Sequence, residues 1–248
     1  MSPAGSFIAP PFQHPTVDWR VFFERLEVEH GANVLSRGSP WVVELDRFLT
    51  DEEADEVIAA GATEGLRQED ELRDSIRNVS LTNCDSVRCI TTPFVSELYR
   101  RVSRVLDIPE HNFESLEFLH YNVGQHYVWH RDDFSWKDHQ PDPATVLSGP
   151  RVLTIFFYLS DVEDGGQTAF AGKPTDRDGS TAKVMVTPTK GKAVLWANMG
   201  SDWQLQEPAA LHTALPVRAG VKWAASIFVH AAGFRVPEIY AGRECRSH

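Results

Sequence analysis

The sequence is poor in cysteine, short of basic charge and without a long apolar run, and each lack excludes something. Three cysteines, Cys84, Cys89 and Cys245, are too few for a disulfide scaffold. Cys84 and Cys89 are near enough in sequence to pair across a short loop; three free thiols is the alternative. No stretch approaches the roughly 20 apolar residues that a membrane-spanning helix needs. Met1 to Gln13 has no basic region followed by an apolar run, so it does not read as a signal peptide. Lys and Arg number 24 against 35 Asp and Glu, a formal net charge of −11. That balance lacks the basic surface with which nucleic-acid binders replace phosphate counterions. It is equally unsuited to an anionic membrane surface. Internal repeats and low-complexity tracts are absent as well.

What is present is ordinary for a globular protein: 248 residues, 42% hydrophobic, with seven Trp among its aromatics. Residues 1–15 are Pro-rich and are expected to form a loose arm. Residues 16–248 are expected to form one domain. Helical signals dominate its first part, about 16–110. Thr50 and Glu53 read as a capping box ahead of Ala54, Val57 and Ile58. Thr92-Pro93 opens a second helix, whose apolar positions Phe94, Leu98, Val102, Val105 and Leu106 recur every three or four residues until Pro109. A weaker helix is expected over Trp19 to Glu29.

From about Ser115 the rhythm changes to short β-branched and aromatic runs: 115–122, 124–130, 151–160, 183–187, 192–197 and 222–230. Many short strands of this kind suit a double-sheet jelly roll, with its core over about 111–232. The fold class is therefore mainly β with N-terminal helices, the helices covering one sheet while the other sheet surrounds a pocket. Segments 134–150 and 171–181 are expected to be long loops.

His130-Arg131-Asp132 lies at the end of one such strand. Residues i and i+2 of a strand share a face, so His130 and Asp132 project together. A second imidazole would complete a two-His-one-carboxylate triad, which leaves coordination positions open for oxygen and an organic acid on Fe(II). His212, ahead of the final strand, is the candidate. An isolated His-x-Asp is ordinarily a surface His beside acids, so the surroundings must decide. His126 shares the parity of His130 and competes with it; Asp133 has the opposite parity and is expected to point away. Ten positions after His212 comes Lys222, at the head of an apolar run. A lysine in such a strand needs an anion, and the distal carboxylate of a chelating dicarboxylic acid would serve. Arg218 is the rival cation.

These motifs together resemble the prolyl 4-hydroxylase family of 2-oxoglutarate/Fe(II)-dependent dioxygenases. Tyr121-Asn-Val-Gly-Gln-His-Tyr127-Val-Trp-His130-Arg-Asp132 resembles the start of that family's catalytic core, and Arg151-Val-Leu-Thr154-Ile-Phe-Phe-Tyr158 its next strand. Gly165-Gly166-Gln-Thr168-Ala-Phe170 is similar to its Gly-Gly-x-Thr-x-Phe turn. Pro188-Thr-Lys190-Gly191-Lys-Ala-Val-Leu resembles the strand before the distal His, and His212 with Lys222-Trp223 its closing segment. The resemblance covers roughly residues 77–230. The sequence departs from the pattern in Thr-Ala-Leu after His212, in Ala-Gly after Phe170, and in the long 134–149 loop with Trp136 and His139.

The resemblance implies Fe(II) on His130, Asp132 and His212, with 2-oxoglutarate held by Lys222 and the hydroxyls of Thr154, Tyr121 and Tyr158. It implies oxygen as oxidant, succinate and carbon dioxide as products, and proline-containing peptides as substrate, with Tyr127, Arg131 and Trp223 as contacts. Ascorbate dependence is a family expectation to which no residue points. Within the enzyme reading, a free amino acid or other small molecule is the alternative substrate; from another class comes a metal-binding module that never turns over. Nucleic-acid demethylases with a similar triad usually anchor the carboxylate with Arg. Compartment and oligomeric state are not readable: the cytosol suits a complete chain, the endoplasmic reticulum lumen a chain whose N-terminal signal has been removed. Asn78-Val79-Ser80 matches a glycosylation acceptor, a triplet common by chance.

Overall fold

A computed structural model describes residues 17–69, 77–133, 148–171, 182–201, 203 and 205–235. The expected N-terminal arm, Trp136, His139, Cys245 and most of both expected long loops lie outside the described residues.

The chain begins with α1 (Trp19–His30), capped by the Asp18 side chain, and a β-ribbon of β1 (Asn33–Ser36) and β2 (Val42–Leu45). Helix α2 (Asp51–Glu64) carries the capping box, with Thr50 and Glu53 each satisfying the other's backbone N–H. Next come β3 (Arg67–Glu69), β4 (Arg77–Asn83), the short α3 (Val87–Ile90) and α4 (Pro93–Leu106). Thr92 stands at the N-cap of α4 and Asp107 closes it in the left-handed conformation, two residues before Pro109. Cys84 and Cys89 form a disulfide at the end of β4.

The remaining strands are β5 (Glu117–Tyr121), β6 (His126–His130), β7 (Arg151–Tyr158), β8 (Asp164–Gly165), β9 (Thr168–Ala171), β10 (Ala182–Val186), β11 (Ala193–Ala197), β12 (His212–Ala214), β13 (Val217–Ala219) and β14 (Lys222–His230). They form a jelly roll. The larger sheet runs β1-β2-β11-β7-β14-β5-β4, with β3 beside β4. The smaller runs β6-β12-β9-β10. Strand β4 joins the two, pairing Ser80–Asn83 with β5 and Arg77–Asn78 with β6. A separate ribbon of β8 and β13 lies beside them.

Expectation and structure differ over the first part of the chain. It supplies helices, as expected, but also, among the described residues, four strands, two of which lie inside the larger sheet. Tertiary pairing on both sides imposes the strand on Arg77–Asn83, a segment too polar to announce itself.

Two cores follow from strand alternation. On β7, Leu153, Ile155 and Phe157 face the helices, while Phe156 and Tyr158 face between the sheets. Strand β14 divides likewise: Ala225, Ile227 and Val229 go to the helical side and Ala224 to the interior. Burial on both faces explains why β7 after Arg151 reads as an apolar run interrupted only by Thr154. Helix α2 lies so close that a Cβ on Gly61 would sit 2.7 Å from the Phe118 ring.

Candidate active site

His130 is the last residue of β6 and His212 the first of β12, and the two are register partners. Asp132 follows two residues after His130, where the strand has ended but the parity argument still brings both side chains inward. One ligand atom from each of the three lies within 4.8 Å of the others. Asp132 Oδ1 is 3.5 Å from both His130 Nε2 and His212 Nε2.

The tautomers are fixed locally. His130 Nδ1 lies 2.8 Å from the Val128 carbonyl and His212 Nδ1 2.9 Å from the Ala210 carbonyl. Each Nδ1 must donate, so each Nε2 keeps its lone pair for the shared space. Burial pushes the His212 imidazole down to about 4, so it is neutral at ordinary pH. Burial alone would raise the Asp132 carboxyl. The His212 and His130 rings and the Thr154 hydroxyl overcome it and hold Asp132 well below the usual carboxylate range. Two imidazoles and one carboxylate on one face are the donor set that Fe(II) oxygenases require, and the residues fit that ion.

His126, the competitor, is the first residue of β6, with Nδ1 near the Gly124 carbonyl, and is not among the clustered ligands. Asp133 is also outside that cluster.

Around the triad lies a cavity of about 270 Å³ whose wall includes Tyr121, Tyr127, Arg131, Arg151, Phe156 and Thr168. Behind the Tyr121 and Phe156 side of its wall Lys222 is fully buried, and burial pushes its ammonium down to about 7. Its Nζ donates to the Gly166 carbonyl at 2.8 Å and lies 5.1–5.4 Å from the Tyr121, Phe156 and Tyr158 ring centres. No carboxylate pairs with it among the described residues. Tyr121 and Phe156 also line the cavity, so the ammonium sits one side chain behind its wall. A buried cation in an aromatic cage without a counter-ion is a seat for an anion. Gly165 and Gly166 make the seat possible: both have positive φ (82° and 71°), and their turn aims the Gly166 carbonyl at Lys222. Arg218, the rival, is on the surface, its side chain 66% exposed and paired with Asp164.

The other expected site residues divide. Tyr127 lines the cavity and stacks on His130, ring centres 3.6 Å apart. Arg131 lines it too, with Nη2 donating to the Pro208 carbonyl. Thr154 is in the wall, but its hydroxyl donates to Asp132 Oδ2 at 2.8 Å, a metal-side partner and not the expected co-substrate one. Tyr158 donates to the Thr168 hydroxyl at 2.7 Å. Trp223 is not in the cavity. It packs against His120 on the helical side of β14, because a strand neighbour of Lys222 must point the other way.

Thr168, Arg151, Glu114 and His230, in or beside the cavity wall, carry no expected role from the sequence. Thr168 sat inside the quoted Gly-Gly-x-Thr turn, and Arg151 inside the quoted β7 motif. Arg151 makes two hydrogen bonds to the Glu114 carboxylate, donates to the Asp132 carbonyl at 3.3 Å, and lies 3.7 Å from the Phe228 ring centre. His230 Nε2 meets the same Glu114 at 2.7 Å. Burial would raise Glu114, but Arg151 and His230 bring it down to about 2.

These features define a 2-oxoglutarate- and Fe(II)-dependent oxygenase, and the 2OG-Fe(II) oxygenase superfamily model matches residues 116–230. Prolyl 4-hydroxylase 5 of Arabidopsis thaliana is 31% identical over 218 residues, 79% of this chain and 70% of that protein. Probable prolyl 4-hydroxylase 6 of the same plant is 32% identical over 208 residues, 75% of this chain and 68% of that one. The 2-oxoglutarate complex of a viral collagen prolyl hydroxylase from Paramecium bursaria Chlorella virus-1 superposes with TM-score 0.59 at 25% identity, covering 77% of this chain and 96% of that one. The chain belongs to the prolyl 4-hydroxylase family. It is an Fe(II) enzyme with 2-oxoglutarate and oxygen as co-substrates.

Proposed function

We propose that the protein hydroxylates proline residues within peptides, converting 2-oxoglutarate and oxygen to succinate and carbon dioxide. The observation that carries this reading is one cavity that holds a His-Asp-His donor set and, behind its Tyr121 and Phe156 wall, a buried lysine without a carboxylate partner among the described residues, in a chain related to prolyl 4-hydroxylases.

In this reading His130, Asp132 and His212 hold the iron, which when bound supplies the oxygen activation. Lys222 holds the distal carboxylate of 2-oxoglutarate within the ring cage of Tyr121, Phe156 and Tyr158, which keeps water from the ammonium. Tyr127, locked on the His130 ring, and Arg131, anchored on Pro208, form the wall where a peptide would meet the site. Residues 16–248 act as one catalytic domain, its helical layer bracing the larger sheet.

The test is succinate release with Fe(II), 2-oxoglutarate and oxygen, with and without a proline-rich peptide. Stimulation by the peptide, with one oxygen gained on proline, is the expected result. Turnover stimulated by free proline and not by peptide would replace the peptide with an amino acid. Binding of both Fe(II) and 2-oxoglutarate without any succinate would overturn the enzymatic reading.

A further inference from the structure

Asp132 has two carboxylate oxygens, and the structure treats them differently. Oδ1 faces both imidazole Nε2 atoms, while Oδ2 accepts from the Thr154 hydroxyl at 2.8 Å. Thr154 Oγ1 in turn accepts from the Asn198 amide at 2.8 Å. The direction of this chain is forced. A carboxylate only accepts, so the single Thr154 proton goes to Asp132, and whatever lies behind Thr154 must be a donor. Asn198 supplies that donor.

Asn198 is built to hold its position. It is fully buried just beyond β11, its backbone N–H donating to the Val152 carbonyl and its carbonyl accepting from Glu207 N–H, each at 2.9 Å. Its side-chain oxygen has no hydrogen-bond partner among the described residues. A buried amide oxygen without a partner is a cost, and an apolar residue of similar shape would avoid it. The asymmetry within the amide, one end used and the other idle, marks the N–H donor as the part with a task. Thr154 is placed for the other half: its strand position pairs with Trp196 on β11 and Phe228 on β14, which carries the hydroxyl between Asn198 and Asp132.

We propose that Asn198 and Thr154 form a two-step relay that turns the Asp132 carboxylate so that Oδ1 alone is presented to the metal. Both are positioning residues acting through Asp132, and the inference rests on the metal-site reading above. It separates Thr154 from the co-substrate pocket, where the sequence placed it. Substitutions behind a metal ligand typically cost about 10- to 100-fold in metal affinity, which sets the scale of the effect.

The test is Mn(II) affinity of the purified protein without 2-oxoglutarate, followed by manganese electron paramagnetic resonance, together with the melting temperature of each metal-free variant. Thr154→Val keeps the shape and removes the hydroxyl; about 10- to 100-fold weaker Mn(II) binding is expected. Thr154→Ser restores the donor and is expected to return affinity to within about threefold. Asn198→Asp keeps the shape but places an acceptor behind Thr154, drawing its proton away from Asp132, so affinity is expected to fall as in Thr154→Val. Variants that melt lower but bind Mn(II) like the wild type would show a merely structural role and overturn the relay. So would Thr154→Val with normal Mn(II) affinity and weaker 2-oxoglutarate binding at saturating metal. A wild-type protein that binds no Mn(II) would overturn the metal-site reading itself.

Discussion

His130 and His212 are paired in register across β6 and β12, their rings 4.3 Å apart between centres, although they lie at opposite ends of the core in sequence. The sheet register, and no loop, brings the two imidazoles together. His126, on the same strand, is not among the clustered ligands. Accordingly His212→Ala is expected to abolish Fe(II) binding and succinate formation, whereas His126→Ala keeps most of both. Equal loss of metal in the two variants, measured by equilibrium dialysis, would show that the triad is wrongly assigned.

Lys222 titrates near 7 because it is buried without an anion. A bound carboxylate would favour the ammonium and raise it. Affinity for 2-oxoglutarate is therefore expected to be full below about pH 7 and to fall by up to about tenfold per unit above it, with uptake of one proton. Calorimetry in buffers of different ionisation enthalpy measures that proton. Lys222→Met is expected to bind weakly, retain Fe(II) and lose the pH dependence; unchanged binding would return Arg218 to consideration.

Glu114 pairs with Arg151 of the cavity wall and with His230, and its carboxyl is depressed from 4.5 to about 2. A depressed acid stabilises the fold above its unfolded value, and that contribution is lost as pH falls through the folded one. The fold is expected to lose about 3 kcal/mol between pH 4.5 and 2 from this group. Glu114→Gln is expected to be less stable at neutral pH and to show a flatter acid limb in denaturant titrations. An unchanged acid limb would mean that the network stabilises little.

Gly61 in α2 leaves no room for a methyl group against Phe118. Gly61→Ala gains helix propensity but must push the helix off β5, a net cost of about 1–3 kcal/mol. A lower melting temperature with an unaltered Michaelis constant for peptide is the expected pattern. A rise in melting temperature would show that the Phe118 ring yields.

Trp223 offers the complementary case on the same face. Trp223→Ala is expected to lower stability through its lost contact with His120 and the helical core, leaving peptide affinity unchanged. A raised Michaelis constant for peptide would restore it to the substrate groove.

How much of this was legible beforehand depended on whether the signal was local. The Thr50–Glu53 capping box and the apolar spacing of α4 are written within a few residues, and both helices stand where they were expected. So do the long strands β7 and β14, whose apolar runs reflect burial on both faces. The i, i+2 placement of His130 and Asp132 was equally local. By contrast, β4 is a strand because β5 and β6 flank it, and three-residue β12 because β6 and β9 do. No window of sequence holds that information. Trp223 is offered as a substrate contact by the resemblance to peptide-binding relatives, whereas a strand neighbour of Lys222 points to the opposite face. Asn198 carried no local mark at all; only the Thr154 hydroxyl beside it reveals what its amide does.

Each ligating imidazole is fastened by the carbonyl two residues before it, Val128 within β6 for His130 and Ala210 just ahead of β12 for His212. The donor geometry is thus complete when the chain has folded, and the ion joins a finished frame. A frame of this kind has no means of preferring iron. Zinc and copper bind such nitrogen-and-oxygen donors more tightly than Fe(II) does, in the order set by ion chemistry. Occupancy by the working metal then reflects which ion is plentiful around the protein when it folds, and an inactive preparation can be a correctly folded one holding the wrong guest.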